Sequence, residues 1–325
     1  MTMQPTTHVV VGAGAIGGGT AMLLAEQGHQ VHLVSRSGRG PVHPRITATA
    51  LDLTHPDAVA QLSRLATGAG ALVNAVNPPY TKWPTAWPPL AQAFLRVAEN
   101  SGAGLVTVGN LYGYGRVDGP MREDHPFAPA GHKGATRAAM WTEALAAHQA
   151  GRVRATEARA SDYFGPGGGR YSYLGHQVLR PAIAGKAVRL IMGNPDAPHC
   201  WTYLPDLCAT IAALATSSPT SDTWGRPWHV PTAPARSVRA ALADLAELTG
   251  RPPVTVGMLP GRGLLLRTVP VLREFTETAH QFERPYLVDS TRTQAQLGVA
   301  ATPWRTALAE TIVSLGGHLA MPAAA

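Results

Sequence analysis

Residues 8–17 read His-Val-Val-Val-Gly-Ala-Gly-Ala-Ile-Gly, a β-branched run that ends in three spaced glycines. An apolar segment with helical spacing follows this turn. Gly12 allows a tight turn off the strand, Gly14 lets a pyrophosphate approach the backbone, and Gly17 lets a helix pack close to the sheet. The free N–H groups of the first helical turn attract phosphate charge. The segment predicts dinucleotide binding, and the alternative is a glycine-rich turn that only packs the sheet.

The next predicted strand indicates which dinucleotide is bound. Residues 30–34 alternate between polar and apolar and lead into Ser35 and Arg36, and no acidic residue occurs between Glu26 and Asp52. An NAD site places a carboxylate about 20 residues after the glycines, at the ribose hydroxyls. An arginine there suits a 2′-phosphate, because its planar fork donates paired charge-assisted hydrogen bonds. We therefore predict NADP(H), with NAD(H) as the alternative if Arg36 is only a solvated surface charge.

Strands and helices alternate through the first half of the chain, which is typical of a parallel sheet covered on both faces. We predict strands near 8–12, 30–35, 46–51, 71–76, 104–109 and 152–159. We predict the intervening helices near 16–27, 57–66, 85–100 and 132–149. The fold class is therefore α/β, with a Rossmann-type, doubly wound parallel sheet in a dinucleotide-binding domain over residues 1–160.

The alternation becomes irregular after residue 160, which predicts a smaller mixed α/β substrate lobe over residues 161–325. Segments near 200–235 are expected to return to the first domain. We predict helices at 172–184, 205–216, 237–249, 261–278 and 303–315. We predict short strands at 187–191, 227–230, 253–257 and 285–288.

Composition excludes several other classes of protein. The formal net charge of +7 comes with only three lysines, and the arginines are spread, so we expect no nucleic-acid partner. Cys200 and Cys208 form no disulfide framework or CxxC pattern, and the histidine spacing suggests no metal site. No apolar run approaches the roughly 20 residues that cross a bilayer, and no secretion signal is recognisable. We expect a cytoplasmic protein without a membrane partner.

Further motifs follow the glycine turn in a fixed order along the chain. They are Asp52-Leu53, residues 74–77 (Asn-Ala-Val-Asn), residues 110–115 (Asn-Leu-Tyr-Gly-Tyr-Gly), and the segments 159–167, 201–206 and 289–298. From about residue 8 to residue 315, the chain resembles the extended and atypical short-chain dehydrogenase/reductase superfamily, which includes sugar-nucleotide epimerases and dehydratases. The glycine turn is similar too, although Val11 stands where that superfamily has its first glycine.

The resemblance implies a place for each part of the cofactor. Asp52 and Leu53 would contact the adenine, and residues 74–77 would lie under the cofactor at the end of the fourth strand. A basic residue on the fourth helix would bind the ribose and hold positive charge under the nicotinamide. The predicted cofactor-binding residues are Gly12, Gly14, Ala15, Ile16, Gly17, Ser35, Arg36, Asp52, Leu53, Ala75, Asn77 and Arg137.

The catalytic motif departs from the family pattern. Its enzymes hold a tyrosine four residues before a lysine, and no tyrosine here has a lysine four residues later. We align Lys133 with the tyrosine and Arg137 with the lysine; the other register pairs Pro129 with the tyrosine and Lys133 with the lysine. Asn110 or its neighbour replaces the usual serine or threonine. The chain therefore resembles the atypical members, and its proton donor must be another group.

Several side chains are candidates for that donor. Lys133, beside Arg137 and the nicotinamide, would have a lowered pKa and act as an acid or hydrogen-bond donor, unless it is simply exposed. Tyr112 or Tyr114 follows the fifth strand and is either the missing phenol or loop packing. Tyr163 is expected to wall the substrate site. The predicted catalytic residues are Lys133, Asn110, Tyr112 and Tyr163.

Two weaker signals complete the candidates. His132 and His176 could act as acids, since histidine titrates near neutral pH, although a structural role is the stronger interpretation for each. The segments 77–80 and 83–89 are rich in proline and aromatic residues. They predict either a hydrophobic loop over the cofactor or the start of a helix.

These features predict an NADP(H)-dependent oxidoreductase that acts on a carbonyl, hydroxyl or imine of a small metabolite. One alternative is a nucleotide-sugar epimerase or dehydratase, in which hydride leaves and returns within one turnover. Another is a non-catalytic NADP(H)-sensing protein. The resemblance also implies a homodimer as a possible assembly.

Overall fold

The computed structural model describes residues 6–269, 272 and 274–320 and contains a central parallel sheet of seven strands. All neighbouring strands in this sheet run parallel. From one edge to the other they are Pro227–His229 (β11), Ala155–Ala160 (β7), Gly104–Asn110 (β5), Ala71–Asn74 (β4), Thr7–Val11 (β1), Gln30–Ser35 (β2) and Ile46–Ala50 (β3). The strand order confirms the predicted doubly wound α/β fold.

Helices cover both faces of the sheet. Side chains alternate between faces along a strand, so Val10 packs on one side while Val9 and Val11 pack on the other. The helix α1 (Ala15–Glu26) shares the Val10 face with α6 (Leu204–Ala215). The helices on the other face are α2 (Ala58–Ala66), α3 (Trp83–Ser101) and α4 (His132–Gln149). Because both faces are buried, the inner strands β1 and β4 are largely apolar, whereas β7 buries Glu157 and Arg159 as an ion pair at 2.7 Å.

Most of the remaining elements pack around a further hydrophobic core, which includes Leu174, Leu242 and Leu308. A π-helical turn at Tyr173–Leu179 leads into α5 (Arg180–Ile183). The other helices are α7 (Val238–Thr249), α8 (Arg262–Thr268), α9 (His280–Glu283), α10 (Thr291–Leu297) and α11 (Trp304–Ser314). Three short parallel pairs are Pro120–Met121 (β6) with Leu287–Val288 (β13), Tyr163–Phe164 (β8) with Thr202–Tyr203 (β10), and Val188–Leu190 (β9) with Val256–Met258 (β12). No helix in the described ranges has the length and apolar character needed to cross a membrane.

Two of the expected elements differ in the structure. The single helix predicted at 261–278 is wrong, because α8 ends at Thr268 and a 3-10 turn at Thr276–Thr278 precedes α9. Val269 is extended, with φ −94° and ψ 110°, as expected for the residue before a proline. The helix predicted near 85–100 begins two residues earlier, at Trp83, so the helix-start interpretation of 83–89 is confirmed and the loop interpretation is wrong.

Candidate active site

The glycine turn between β1 and α1 is built as its sequence predicts. Gly12 has φ +107°, and a Cβ atom there would lie 2.5 Å from the backbone oxygen of Ala75. A Cβ atom at Gly17 would overlap the carbonyl oxygen of Gly12. Protein packing therefore requires glycine at both positions.

Gly14 is different, and this difference points to a ligand. Its backbone is extended, with φ −74° and ψ −172°, which other residues adopt without strain. A Cβ atom at Gly14 would meet no protein atom within 4 Å. Gly14 is also the N-cap of α1, whose first turn carries no acidic residue, so the N–H groups there are available to an anion. The turn therefore fits the pyrophosphate of a dinucleotide.

The ends of β2 and β3 carry the residues predicted to hold the adenosine. Arg36 is exposed at the end of β2. The Asp52 carboxylate accepts hydrogen bonds from the Thr54 N–H (3.0 Å) and hydroxyl (2.8 Å). These two bonds, with a smaller contribution from the charge of Arg36, lower the pKa of Asp52 below its usual value. The hydroxyl of Ser35 donates to the carbonyl of Arg39 at 3.2 Å.

Lys133 is 1% exposed, near the start of α4, so the solvent-exposed alternative for it is wrong. Its Nζ lies 2.6 Å from a Glu274 carboxylate oxygen and donates to the Glu274 carbonyl at 2.8 Å. A Glu277 carboxylate oxygen is 3.5 Å from the same Nζ, and the other accepts the Lys133 backbone N–H at 2.7 Å. His132, about half exposed, contacts Glu277 at 2.7 Å. Residues from beyond α8 therefore neutralise the lysine charge.

Arg137 lies one turn further along α4 and is held between two tryptophans. Its guanidinium carbon is 4.7 Å from the Trp83 ring and 4.3 Å from the Trp87 ring. Its Nη1 donates to the carbonyl of Val108 at 3.2 Å. Burial lowers the pKa of Arg137 to about 10, so the side chain keeps its charge at neutral pH. The structure thus places a cation beside the end of β5, and ribose binding by Arg137 stays a prediction.

The two tyrosines after β5 have different surroundings. Tyr114 is 1% exposed, and its hydroxyl contacts Arg159 Nη1 at 2.5 Å and His229 Nε2 at 2.9 Å, which fits loop packing. Tyr112 is only partly buried, and its backbone N–H donates to the Asn110 side-chain oxygen at 3.1 Å. Asn110 therefore fixes the turn that carries Tyr112.

Tyr80 was not among the predicted site residues, yet its hydroxyl lies 3.1 Å from that of Tyr112. Burial raises the pKa of both phenols, so both are protonated at neutral pH. The only sequence signal for Tyr80 is its place in the proline-rich segment after β4. Nothing in the sequence of that segment indicates that Tyr80 contacts Tyr112, which is 32 residues away in the chain.

A second cluster that sequence reasoning missed joins His199 to Ser161 and Asp162, the two residues that follow β7. His199 Nε2 lies 3.2 Å from an Asp162 carboxylate oxygen and 3.2 Å from the Ser161 hydroxyl, and its Nδ1 lies 3.0 Å from the Gln281 carbonyl. Next to Asp162, burial raises the pKa of Tyr163 to about 12. His199 is 38 residues beyond Ser161 in the chain, so no local motif could reveal the contact.

The chain is similar in sequence to a family of known proteins. The family model described as "NAD dependent epimerase/dehydratase family" matches residues 8–224. The chain belongs to this family. The family match confirms the predicted superfamily, and it identifies the chain as an enzyme with a nicotinamide dinucleotide cofactor. The epimerase and dehydratase alternative therefore has better support than the general carbonyl reductase that we predicted.

Several solved structures share the fold. MoeE5, in complex with UDP-glucose and NAD, is 23% identical with a TM-score of 0.74, over 95% of this chain and 98% of that one. The UDP-glucuronic acid 4-epimerase of Bacillus cereus is 16% identical with a TM-score of 0.75, over 95% and 99%. The dTDP-glucose 4,6-dehydratase of Bacillus anthracis, in complex with NAD, is 16% identical with a TM-score of 0.75, over 96% of each chain. No curated protein matches this chain in sequence.

Proposed function

We propose that this family member removes and returns hydride at a hydroxyl-bearing carbon of a nucleotide-linked sugar, as an epimerase or a dehydratase does. Family membership supports the reaction class, and neighbours in complex with UDP-sugars suggest the substrate. The observation that carries the proposal is the open space at Gly14, which no packing requirement explains.

The chain's own residues would hold the cofactor and the substrate oxygen. The first turn of α1, from Gly14 to Ile16, would bind the pyrophosphate, and Asp52 with Leu53 would line the adenine. When bound, the nicotinamide supplies the site that accepts and gives back hydride. Arg137 would hold positive charge at the end of β5. Lys133 is buried and its Nζ is engaged by Glu274 and Glu277, so its predicted role as hydrogen-bond donor to the substrate is replaced by that of a fixed, paired charge. Tyr163 would line one side of the substrate site.

We further propose that the chain prefers NADP(H). Arg36 stands at the end of β2 with its side chain exposed, and no carboxylate occurs between Glu26 and Asp52. The solved neighbours named above are NAD complexes, so this preference rests on Arg36.

A second candidate is net reduction of a carbonyl or imine in a small metabolite. The protonated state of the tyrosine hydroxyl groups in the site favours it. Burial raises the pKa of Tyr80, Tyr112 and Tyr163. A protonated phenol donates a proton readily but is a poor base for starting the oxidation of an alcohol.

One experiment separates the candidates. The purified protein is incubated with NADPH, NADP⁺, NADH or NAD⁺ and with UDP-glucose, UDP-glucuronic acid or dTDP-glucose, and products are followed by NMR. An isomerised or dehydrated sugar without net change in the cofactor supports the proposal. Stoichiometric NADPH loss with a panel of aldehydes, ketones and imines supports the second candidate. Cofactor binding without product from either panel contradicts both.

A further inference from the structure

Two phenols meet where β4 and β5 end, the edge at which parallel sheets bind ligands. Tyr80 begins a 3-10 turn six residues after β4, and Tyr112 lies two residues after β5. Their hydroxyl oxygens are 3.1 Å apart. Two side chains from different loops therefore place one hydrogen-bonded pair at this edge of the sheet.

The surroundings of the pair fix both rings. Trp83 packs edge-on against Tyr80 at 4.9 Å and stacks on Tyr112 at 6.1 Å. Phe275 contacts the Tyr80 ring edge-on at 6.1 Å, and Lys133 Nζ lies 5.7 Å from its centroid. A phenol held on several sides, next to a buried cation, keeps a defined position for its hydroxyl group.

We propose that Tyr80 is the catalytic acid–base residue of this site, exchanging a proton with the substrate oxygen, and that Tyr112 is its positioning hydrogen-bond donor. This assignment rests on the proposed function, because it needs a hydroxyl or carbonyl carbon as the reacting centre. Lys133, paired with Glu274, then supplies fixed charge.

Electrostatics distinguishes the two phenols. Burial raises the pKa of Tyr80, and the negative charge of Asp162 adds to this effect. The hydrogen bond with Tyr112 and the charge of Arg137 oppose this rise in the pKa of Tyr80. For Tyr112, burial, Asp162 and the contact with Tyr80 all raise the pKa. Geometry also separates the two phenols, because Lys133 Nζ lies 5.7 Å from the centroid of the Tyr80 ring, and we therefore assign the proton exchange to Tyr80.

The proton balance is simple in both directions. In reduction, the carbonyl carbon gains hydride from the reduced nicotinamide, and the oxygen takes the proton of Tyr80 Oη. Tyr80 is left as a phenolate that accepts the hydrogen bond of Tyr112 until water reprotonates it. In oxidation, Tyr80 first gives its proton to water, and the phenolate then takes the hydroxyl proton while the carbon loses hydride to the oxidised nicotinamide.

The first test needs no substrate. Protein labelled with carbon-13 at tyrosine Cζ is titrated by NMR without cofactor, and Tyr80→Phe and Tyr112→Phe assign the two signals. We expect Tyr80 to ionise before Tyr112, and Tyr112→Phe to move the Tyr80 titration to higher pH. Tyr171→Phe, at a residue that is 73% exposed, is the control and leaves both signals unchanged. Ionisation of Tyr112 first, or no response of Tyr80 to Tyr112→Phe, overturns the assignment.

The second test uses whichever substrate gives product in the experiment above. We expect Tyr80→Phe to lower kcat about 100-fold or more, with unchanged cofactor affinity by calorimetry and unchanged urea unfolding. Tyr112→Phe should lower kcat less and shift the pH–rate profile to higher pH. Wild-type turnover in Tyr80→Phe rejects the inference. If the wild type makes no product at all, the proposed function fails, while the NMR titration still decides the roles of the two phenols.

Discussion

At the scale of single residues, Arg36 carries the cofactor preference. We expect Arg36→Ala to weaken NADPH binding by about tenfold or more, because a charge-assisted hydrogen bond contributes about 1.5–3 kcal/mol. NADH affinity should stay the same, because NADH lacks the 2′-phosphate. Isothermal titration with both nucleotides measures this, with Arg64→Ala, an exposed arginine on α2, as the control. An unchanged NADPH/NADH ratio shows that Arg36 does not select the cofactor.

Lys133 is a residue whose removal should affect stability as well as turnover. Lys133→Met leaves Glu274 and Glu277, with side chains 21% and 15% exposed, without the cation. Breaking one side of a buried ion pair costs about 3–5 kcal/mol. We expect urea unfolding to show a loss at the lower end of this range, since both carboxylates keep some water and His132.

The double variant Lys133→Met/Glu274→Gln provides the matched control. It should recover part of the lost stability, because one uncompensated charge is removed with its partner. If the double variant is no more stable than Lys133→Met, the ion pair does not explain the stability of this region. Turnover should be low in both variants, with cofactor affinity retained.

At the scale of one element, the β1–α1 turn contains one glycine that folding requires, Gly12, and another that nucleotide binding requires, Gly14. Gly12→Ala forces a positive φ and a contact of 2.5 Å with the Ala75 oxygen, so it should lower the melting temperature markedly. Gly14→Ala meets open space and should leave the melting temperature unchanged while weakening the nucleotide by about tenfold or more. Thermal unfolding and calorimetry on both variants check this. Equal effects of the two substitutions on stability would contradict it.

The elements show how far sequence reasoning reaches. Sequence patterns placed α4 at its observed bounds, 132–149, and β2 at 30–35, because Gly151 follows the end of α4 and β2 alternates between polar and apolar residues. The prediction of one helix over 261–278 was wrong because it ignored the proline after Val269, which favours an extended backbone at Val269. The first turns of α3 left a loop and a helix start as alternatives, because they contain Pro84, Pro88 and Pro89, which a helix tolerates best near its start.

Some residues of the candidate site could likewise be predicted from the sequence, and others could not. The glycine turn was predictable, since Gly12 and Gly17 meet backbone requirements of the turn and Gly14 leaves the open space expected for a phosphate. The partners of Lys133 were not, because Glu274 and Glu277 lie more than 140 residues away in the chain. Tyr80 was missed for a related reason, because its contact with Tyr112 depends on how two loops pack.

At the scale of the whole molecule, buried histidines set the response to acid. Burial lowers the pKa of His8 to about 4 and that of His229 to about 3. Below pH 6.5 the unfolded chain binds protons at both residues and the folded chain does not, so stability falls as pH falls towards these values. Glu274, whose pKa is lowered chiefly by the hydrogen bond from Lys133, adds a further loss at still lower pH.

Urea unfolding at a series of pH values measures this response. We expect the free energy of unfolding to decline from about pH 6.5 downwards, and His8→Gln to make the decline shallower. His55→Gln, at an exposed position, is the control and should keep the wild-type slope. A flat profile between pH 6.5 and 4 would show that the buried histidines are protonated without cost in the folded protein.

The chain path through the sheet limits how this protein can be divided. The edge strand β11 and the covering helix α6 both come from residues beyond 200, although they complete the layer built by the first 160. A fragment ending at residue 160 would leave the hydrogen-bonding groups of β7 unsatisfied and strip the apolar side of α1, including Leu24. Such a truncation should self-associate, so a soluble fragment of the sheet domain has to keep the chain through α6 and β11.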